Sequence, residues 1–161
     1  MRSTKPLLLS VMTLSLLGVL PVYACGKPND KQVRVSVIVI LASETDSATD
    51  PKLESLAAEI RKTKAELKGF RLLKMACKSL PLGKADEFDL IEDQRATIKI
   101  KSTADKMDRV RLEVSPPSMG KITYSTPCGK FLPIVTPFKT KKGEHLLLAI
   151  RVQPCGEENP K

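Results

Sequence analysis

Four cysteines and a single histidine are the residues of this 161-residue chain with the most chemistry to offer. A cysteine nucleophile needs a base beside it, and His145 is the one imidazole present. No two of Cys25, Cys77, Cys128 and Cys155 fall at the C-x-x-C spacing of zinc or redox sites, and one histidine cannot complete a metal set alone. Disulfide bonding is the chemistry that their spacing favours. Residues 139–144 (KTKKGE) read as a six-residue turn, which sets Phe138 against His145 in a hairpin. Counting outward places Val135 against Leu148, Pro133 against Ile150 and Phe131 against Val152, a consistent apolar face. The same count puts Cys128 opposite Cys155, each in a Pro-Cys-Gly context, and predicts a bridge between them. Pro133 and Pro137 lack donors, marking an edge strand or a bulge that would shift this register. Cys25 and Cys77 then remain, either as a second bridge or with Cys25 lipidated and Cys77 a small buried thiol.

Charge offers a second chemistry. In the hairpin over residues 95–114, parity places Lys99, Lys101, Arg109 and Arg111 on one outward face. Like charges held together are costly, so the face is a candidate anion-binding surface. The competing reading, which we favour, is that Asp105, Asp108, Glu113 and solvent screen four scattered cations. Two oxygen-rich stretches carry less. Glu44, Asp46, Ser47, Thr49 and Asp50 stand where a strand gives way to a helix, but they depart from the Asp-x-Ser-x-Ser pattern of an adhesion metal site. Asp86, Glu87, Asp89, Glu92 and Asp93 lack the spacing and glycine of a calcium loop and read as solvated turns. No phosphate-binding glycine loop, G-x-S-x-G elbow or H-E-x-x-H run occurs. No catalytic residue, metal or cofactor is therefore assigned.

The elements that must position these groups begin after an export signal. Arg2 and Lys5 precede an apolar run over residues 7–20, and Val22-Tyr23-Ala24 offers a signal-peptidase site. The run is short for a membrane span, and no second one follows. Cleavage after Ala24 leaves Cys25 first. The bulky Tyr23 suits secretory cleavage better than lipoprotein processing. Loss of Arg2 and Lys5 takes the formal charge from +9 to +7. The expected organisation is a signal peptide (1–24), a polar leader (25–32), a single domain (33–155) and a polar tail (156–161).

Residues 33–41 (VRVSVIVIL) alternate and then become apolar on both sides, the pattern of a central strand. Asp50-Pro51 starts a helix with Leu53, Leu56, Ala57, Ile60 and Leu67 on one face and Gly69 as its C-cap. A strand over residues 70–77 follows, so strand, helix and strand read as a right-handed βαβ crossover. Strand candidates at 88–91, 94–101, 109–114, 121–126, 131–138 and 145–153 complete the set, with 94–101 and 109–114 alternating cleanly as a hairpin. The fold class is α+β: one βαβ unit continued into a mainly antiparallel sheet or β-sandwich with a single covering helix.

The Leu-Lys-Gly-Phe-Arg entry at residues 67–71 and the Leu-Leu-Leu-Ala-Ile-Arg-Val strand at residues 146–152 resemble small exported bacterial proteins without assigned function. The resemblance implies an extracytoplasmic α+β domain and transfers no active site. Aromatics are few and Trp is missing, which disfavours single-stranded nucleic acid as a partner. The expected function is a non-enzymatic binding or structural module of the cell envelope. One rival is a basic-face protein on an anionic polymer or membrane surface, using Lys99, Lys101, Arg109 and Arg111. The other is a small extracytoplasmic hydrolase, which would require a cleft joining Cys77 to His145.

Overall fold

Two runs that are apolar on both flanks become the centre of the structure. In a computed structural model that describes residues 32–154, they form strands β1 (Gln32–Ser43) and β8 (His145–Pro154), paired antiparallel with Val37 opposite Ile150. Between them come a 3-10 turn (Pro51–Leu53) leading into helix α1 (Glu54–Arg61), then β2 (Gly69–Pro81), β3 (Ala85–Asp89), β4 (Arg95–Ser102), β5 (Arg109–Ser115), β6 (Ile122–Pro127) and β7 (Phe131–Lys139). The strands make two four-stranded antiparallel sheets, ordered β2-β1-β8-β7 and β3-β4-β5-β6. The α+β class with one covering helix is thus the observed one.

Alternation explains the packing. Val35, Val37 and Val39 of β1 meet Ile98 and Ile100 of β4 and Leu112 of β5 in one interior cluster between the sheets. The opposite face of the first sheet presents Ile38, Ile40, Leu147 and Ala149 to the helix, which covers them with Leu53, Ala57 and Ile60. β1 and β8 are therefore buried on both faces, as their composition requires. Chain corners between the sheets fall at Gly83 and Gly129, with φ of +79° and +77°. Their N–H groups donate to Ile100 O and Val152 O, each at 2.8 Å, tying every corner to the sheet it faces.

Three expectations are corrected. The strand–helix–strand order holds, but β1 and β2 are antiparallel neighbours, with Ser43 opposite Gly69, so the helix sits in a long hairpin connection and not in a parallel crossover. The chain enters β2 at the end where it left β1: Lys68 N donates to Ser43 O at 2.8 Å. Asp50 caps the first turn as expected, accepting from Lys52 N at 2.9 Å, but the helix ends at Arg61. Thr63 turns its hydroxyl back onto Ile60 O, and a tight turn delivers Leu67 to the core in place of a continued helix. Gly69 is no C-cap. A Cβ there would lie 2.4 Å from Asp46 O and 2.8 Å from Ala48 O, so glycine lets the connecting loop lie against β2.

The last hairpin is shifted by one residue. Phe131 faces Arg151, Pro133 faces Ala149 and Val135 faces Leu147, while Lys139 and not Phe138 meets His145. The slip arises between Val135 and Lys139, where Pro137 has no N–H to give and Thr136 Oγ1 donates to Leu146 O at 2.7 Å. Leu132 and Ile134 of β7 consequently join Leu148 and Ile150 of β8 between the sheets, while Phe131 and Val135 turn to the helix side.

Candidate functional site

The densest cluster of titratable groups lies at the end of the first sheet where β1 stops. Ala42 is paired with His145, and the next turn projects Glu44 over the imidazole. Glu44 Oε1 is 2.6 Å from His145 Nε2 and 3.2 Å from Lys139 Nζ. The hydrogen bond with His145, then the bond and charge of Lys139, hold the Glu44 carboxyl below its ordinary value. A recess of about 380 Å³ beside His145 is lined by Leu67, Met119, Val135 and Pro137. A carboxylate-oriented imidazole is half of a nucleophilic triad. Of the other polar side chains lining the recess, Thr136 spends its hydroxyl on Leu146 O, and Lys64 and Glu66 pair with each other at 3.7 Å. Among the described residues lining the recess, none sets a thiol or an uncommitted hydroxyl beside the imidazole.

Beside it, a second recess of about 420 Å³ is bordered by Ser43, Asp46, Thr49, Asp50 and the Arg71–Glu144 pair. These oxygens serve the chain itself. Ser43 Oγ accepts from Thr45 N and Asp46 N, Asp46 Oδ1 accepts from Ala48 N, and Thr49 Oγ1 accepts from Arg61. The turn-and-cap reading of this loop is the one observed. The other acidic stretch divides. Asp86, Glu87 and Asp89 lie on β3, where Lys78 pairs with Asp86 and Arg95 with Glu87 and Asp89; only Glu92 and Asp93 form a turn. Among the described residues no group of three His, Cys, Asp or Glu side chains is placed to hold a metal ion.

The four cations lie on and beside the outer side of the β4–β5 hairpin, in a different pattern from simple opposition. Lys99 faces Glu113, and Arg111 faces Ser102 because the register slips at Lys101. Glu113 sits in the middle of the group, 3.7 Å from Lys101 and 3.8 Å from Lys121. Arg109 donates to Ser125 O of β6 at 2.8 Å. Lys99 and Arg111 make no ion pair among the described residues. The strand ladder thus places no like charges directly opposite, and one carboxylate screens part of the face.

The cysteines separate onto two sides of the first sheet. Cys77 lies opposite Ser36, whose hydroxyl is 3.6 Å from its sulfur, on the face that carries the helix. It is disulfide-bonded. Cys128 occupies the turn between β6 and β7 and packs against the cluster between the sheets. It is in no disulfide, so the expected bridge to Cys155 is not made; the slipped β7–β8 register removes the opposition on which that expectation rested. Cys25, Cys155 and the export signal lie outside the described residues. The cleft joining Cys77 to His145 is not formed: their partners on β1, Ser36 and Ala42, are six residues apart, about 20 Å along the sheet.

Comparison of this chain with protein-family models, with curated proteins and with solved structures finds no match. No helix among the described residues is long and apolar enough to cross a membrane. The Glu44–His145 contact is the feature that sequence reasoning missed. Nothing short-range marks it, since it exists only once β1 and β8 are paired.

Proposed function

We propose that this chain is an exported, non-enzymatic β-sandwich module that binds or scaffolds components of the cell envelope. The observation that carries the reading is the separation of Cys77 from His145. Cys77, the sulfur that a Cys77–His145 hydrolase would need, stands about 20 Å from His145 along the first sheet and is already bonded. What the fold offers instead is surface: two sheets sharing one interior, one outer face shielded by a helix and the other open and polar. Location outside the cytoplasm rests on residues 1–24 and on the cysteine pairing. The test is fractionation of cells producing the full chain, followed by crosslinking in place. Recovery of a processed protein crosslinked to envelope components supports the reading. A cytoplasmic, unprocessed protein overturns it.

A second reading has its own support in Lys99 and Arg111, cations without ion-pair partners among the described residues on an open strand face. Together with Lys101 and Arg109 they would steer an acidic polymer or anionic lipid surface. Four charges with little apolar area give steering in preference to tight capture. Cosedimentation with anionic vesicles or an acidic polymer, repeated as salt rises, tests this directly.

A further inference from the structure

We propose that the end of the sandwich carrying the turns at residues 81–84 and 105–108 docks on an anionic lipid bilayer, with Met107 and Leu82 entering its apolar boundary and flanking lysines against the headgroups. It rests on the anionic partner proposed above for the basic strand face and names that partner as lipid. Among the described residues three large apolar side chains are more than half exposed: Met75 at 60%, Leu82 at 51% and Met107 at 73%. Two of the three occupy central positions of β-turns, where polar residues and glycine are the ordinary choice. Pro81-Leu82-Gly83-Lys84 closes with Lys84 N donating to Pro81 O at 3.2 Å, and Asp105-Lys106-Met107-Asp108 with Asp108 N donating to Asp105 O at 2.9 Å.

The two turns share one end of the molecule and are held in shape. Gly83 N donates to Ile100 O at 2.8 Å, which sets the first turn beside the last residues of β4. The β4–β5 hairpin runs on past that point, at most roughly 17 Å from Ile100 to Asp105. Met107 is therefore the leading tip and Leu82 stands behind it. Asp105 Oδ1 accepts from Met107 N at 2.8 Å and from Arg109 N at 3.0 Å, so this carboxylate is spent on its own turn. Cys128 N donates to Asp108 O at 2.9 Å, which joins the β6–β7 turn and its Lys130 to the same end. An apolar side chain held out on a preformed turn loses little conformational entropy on insertion.

Charge complements the tips. Lys84 and Lys106 are exposed beside Leu82 and Met107 and make no ion pair among the described residues. Lys101, Arg109 and Lys130 stand near them, against Asp108 and the already engaged Asp105. Each cation close to an anionic leaflet strengthens binding roughly fivefold. Apolar area together with attraction to anionic headgroups is what interfacial binding requires. A soluble acidic chain would use the cations alone and would leave Met107 and Leu82 in water, which is why the occupant is lipid.

The chain has no Trp, so Met107→Trp and Leu82→Trp each carry a single fluorescent reporter at an exposed position. The full chain and its variants are mixed with phosphatidylglycerol vesicles, with phosphatidylcholine vesicles and with soluble polyglutamate. The unaltered protein should sediment with the anionic vesicles and not with the neutral ones. There the emission of Met107→Trp should move to shorter wavelength and be quenched by bromine on the acyl chains, with a smaller change for Leu82→Trp. Met107→Ser should bind the anionic vesicles about tenfold more weakly, as loss of one inserted apolar side chain requires. Vesicle binding without a blue shift or quenching in either Trp variant would overturn insertion at this end and leave the basic strand face as the contact. Binding to polyglutamate and not to vesicles would overturn the lipid and make the partner a polymer; binding to neither would overturn the anionic partner as well. Self-association without lipid, lost in Met107→Ser, would make the occupant a second copy.

Discussion

Glu44 and His145 are 101 positions apart in the chain, and their side chains meet at 2.6 Å. The contact closes the end of the first sheet by tying the turn after β1 to the first residue of β8. The Glu44 carboxyl titrates below its ordinary value of 4.5 because the hydrogen bond with His145, and then Lys139, favour its charged form. A depressed folded value means stability that is present above the unfolded value and is lost as pH falls through the folded one. Thermal unfolding should therefore show a loss of stability beginning near pH 4.5 and deepening in more acid solution. In Glu44→Gln that part of the acid slope should disappear; an unaltered slope would mean the contact is not made in solution.

The two kinds of glycine should respond differently to alanine. Gly83 has open space where a Cβ would go but a φ of +79°, so Gly83→Ala pays only for conformation, about 1–2 kcal/mol. At Gly69 the added carbon meets two backbone carbonyls, which cannot swing aside as a side chain would. Gly69→Ala should cost about 3 kcal/mol or more and lift the loop of residues 44–49. Denaturant melts of the two variants, with proteolysis to locate the opened loop, check the ranking.

The outer basic face predicts a divided response. Replacing Lys99 and Arg111 with Ser should leave stability within about 0.5 kcal/mol, since no ion pair is lost. Replacing Arg109 removes a bond to Ser125 O across the β5–β6 pair and should cost more, about 1 kcal/mol. If the face captures anionic polymer or lipid, changing all four cations to Ser abolishes cosedimentation, and binding by the unaltered protein falls steeply above ~0.1 M salt, where screening acts over ~10 Å. Salt-insensitive binding would place the contact on another surface.

The helix layer should come away before the sandwich does. Ile60 is buried against Ile40 and Leu147 on the outer face, apart from the cluster between the sheets. Ile60→Ala should cost about 2–4 kcal/mol. Hydrogen exchange should accelerate over α1 while β4 and β5 stay protected; uniform acceleration would mean the two layers unfold as one.

What the chain determined by itself is what local pattern encodes. Period-two alternation in residues 94–101 and 109–114 specifies strands with one buried face, and apolar residues on both sides of 37–41 specify a strand buried twice. Asp50-Pro51 specifies where the helix begins. Tertiary structure decided the rest. Whether β2 runs parallel or antiparallel to β1 depends on the end of the sheet to which the chain returns, and that is fixed by Lys68 N meeting Ser43 O and by Gly69 admitting the loop. The register of β7 against β8 depends on an irregularity between Val135 and Lys139, where Thr136 donates its hydroxyl to Leu146 O, a partnership that counting outward from the turn cannot see. Glu44 meets His145 for the same reason: pairing energies between distant strands set the contact, and no neighbouring residue encodes it.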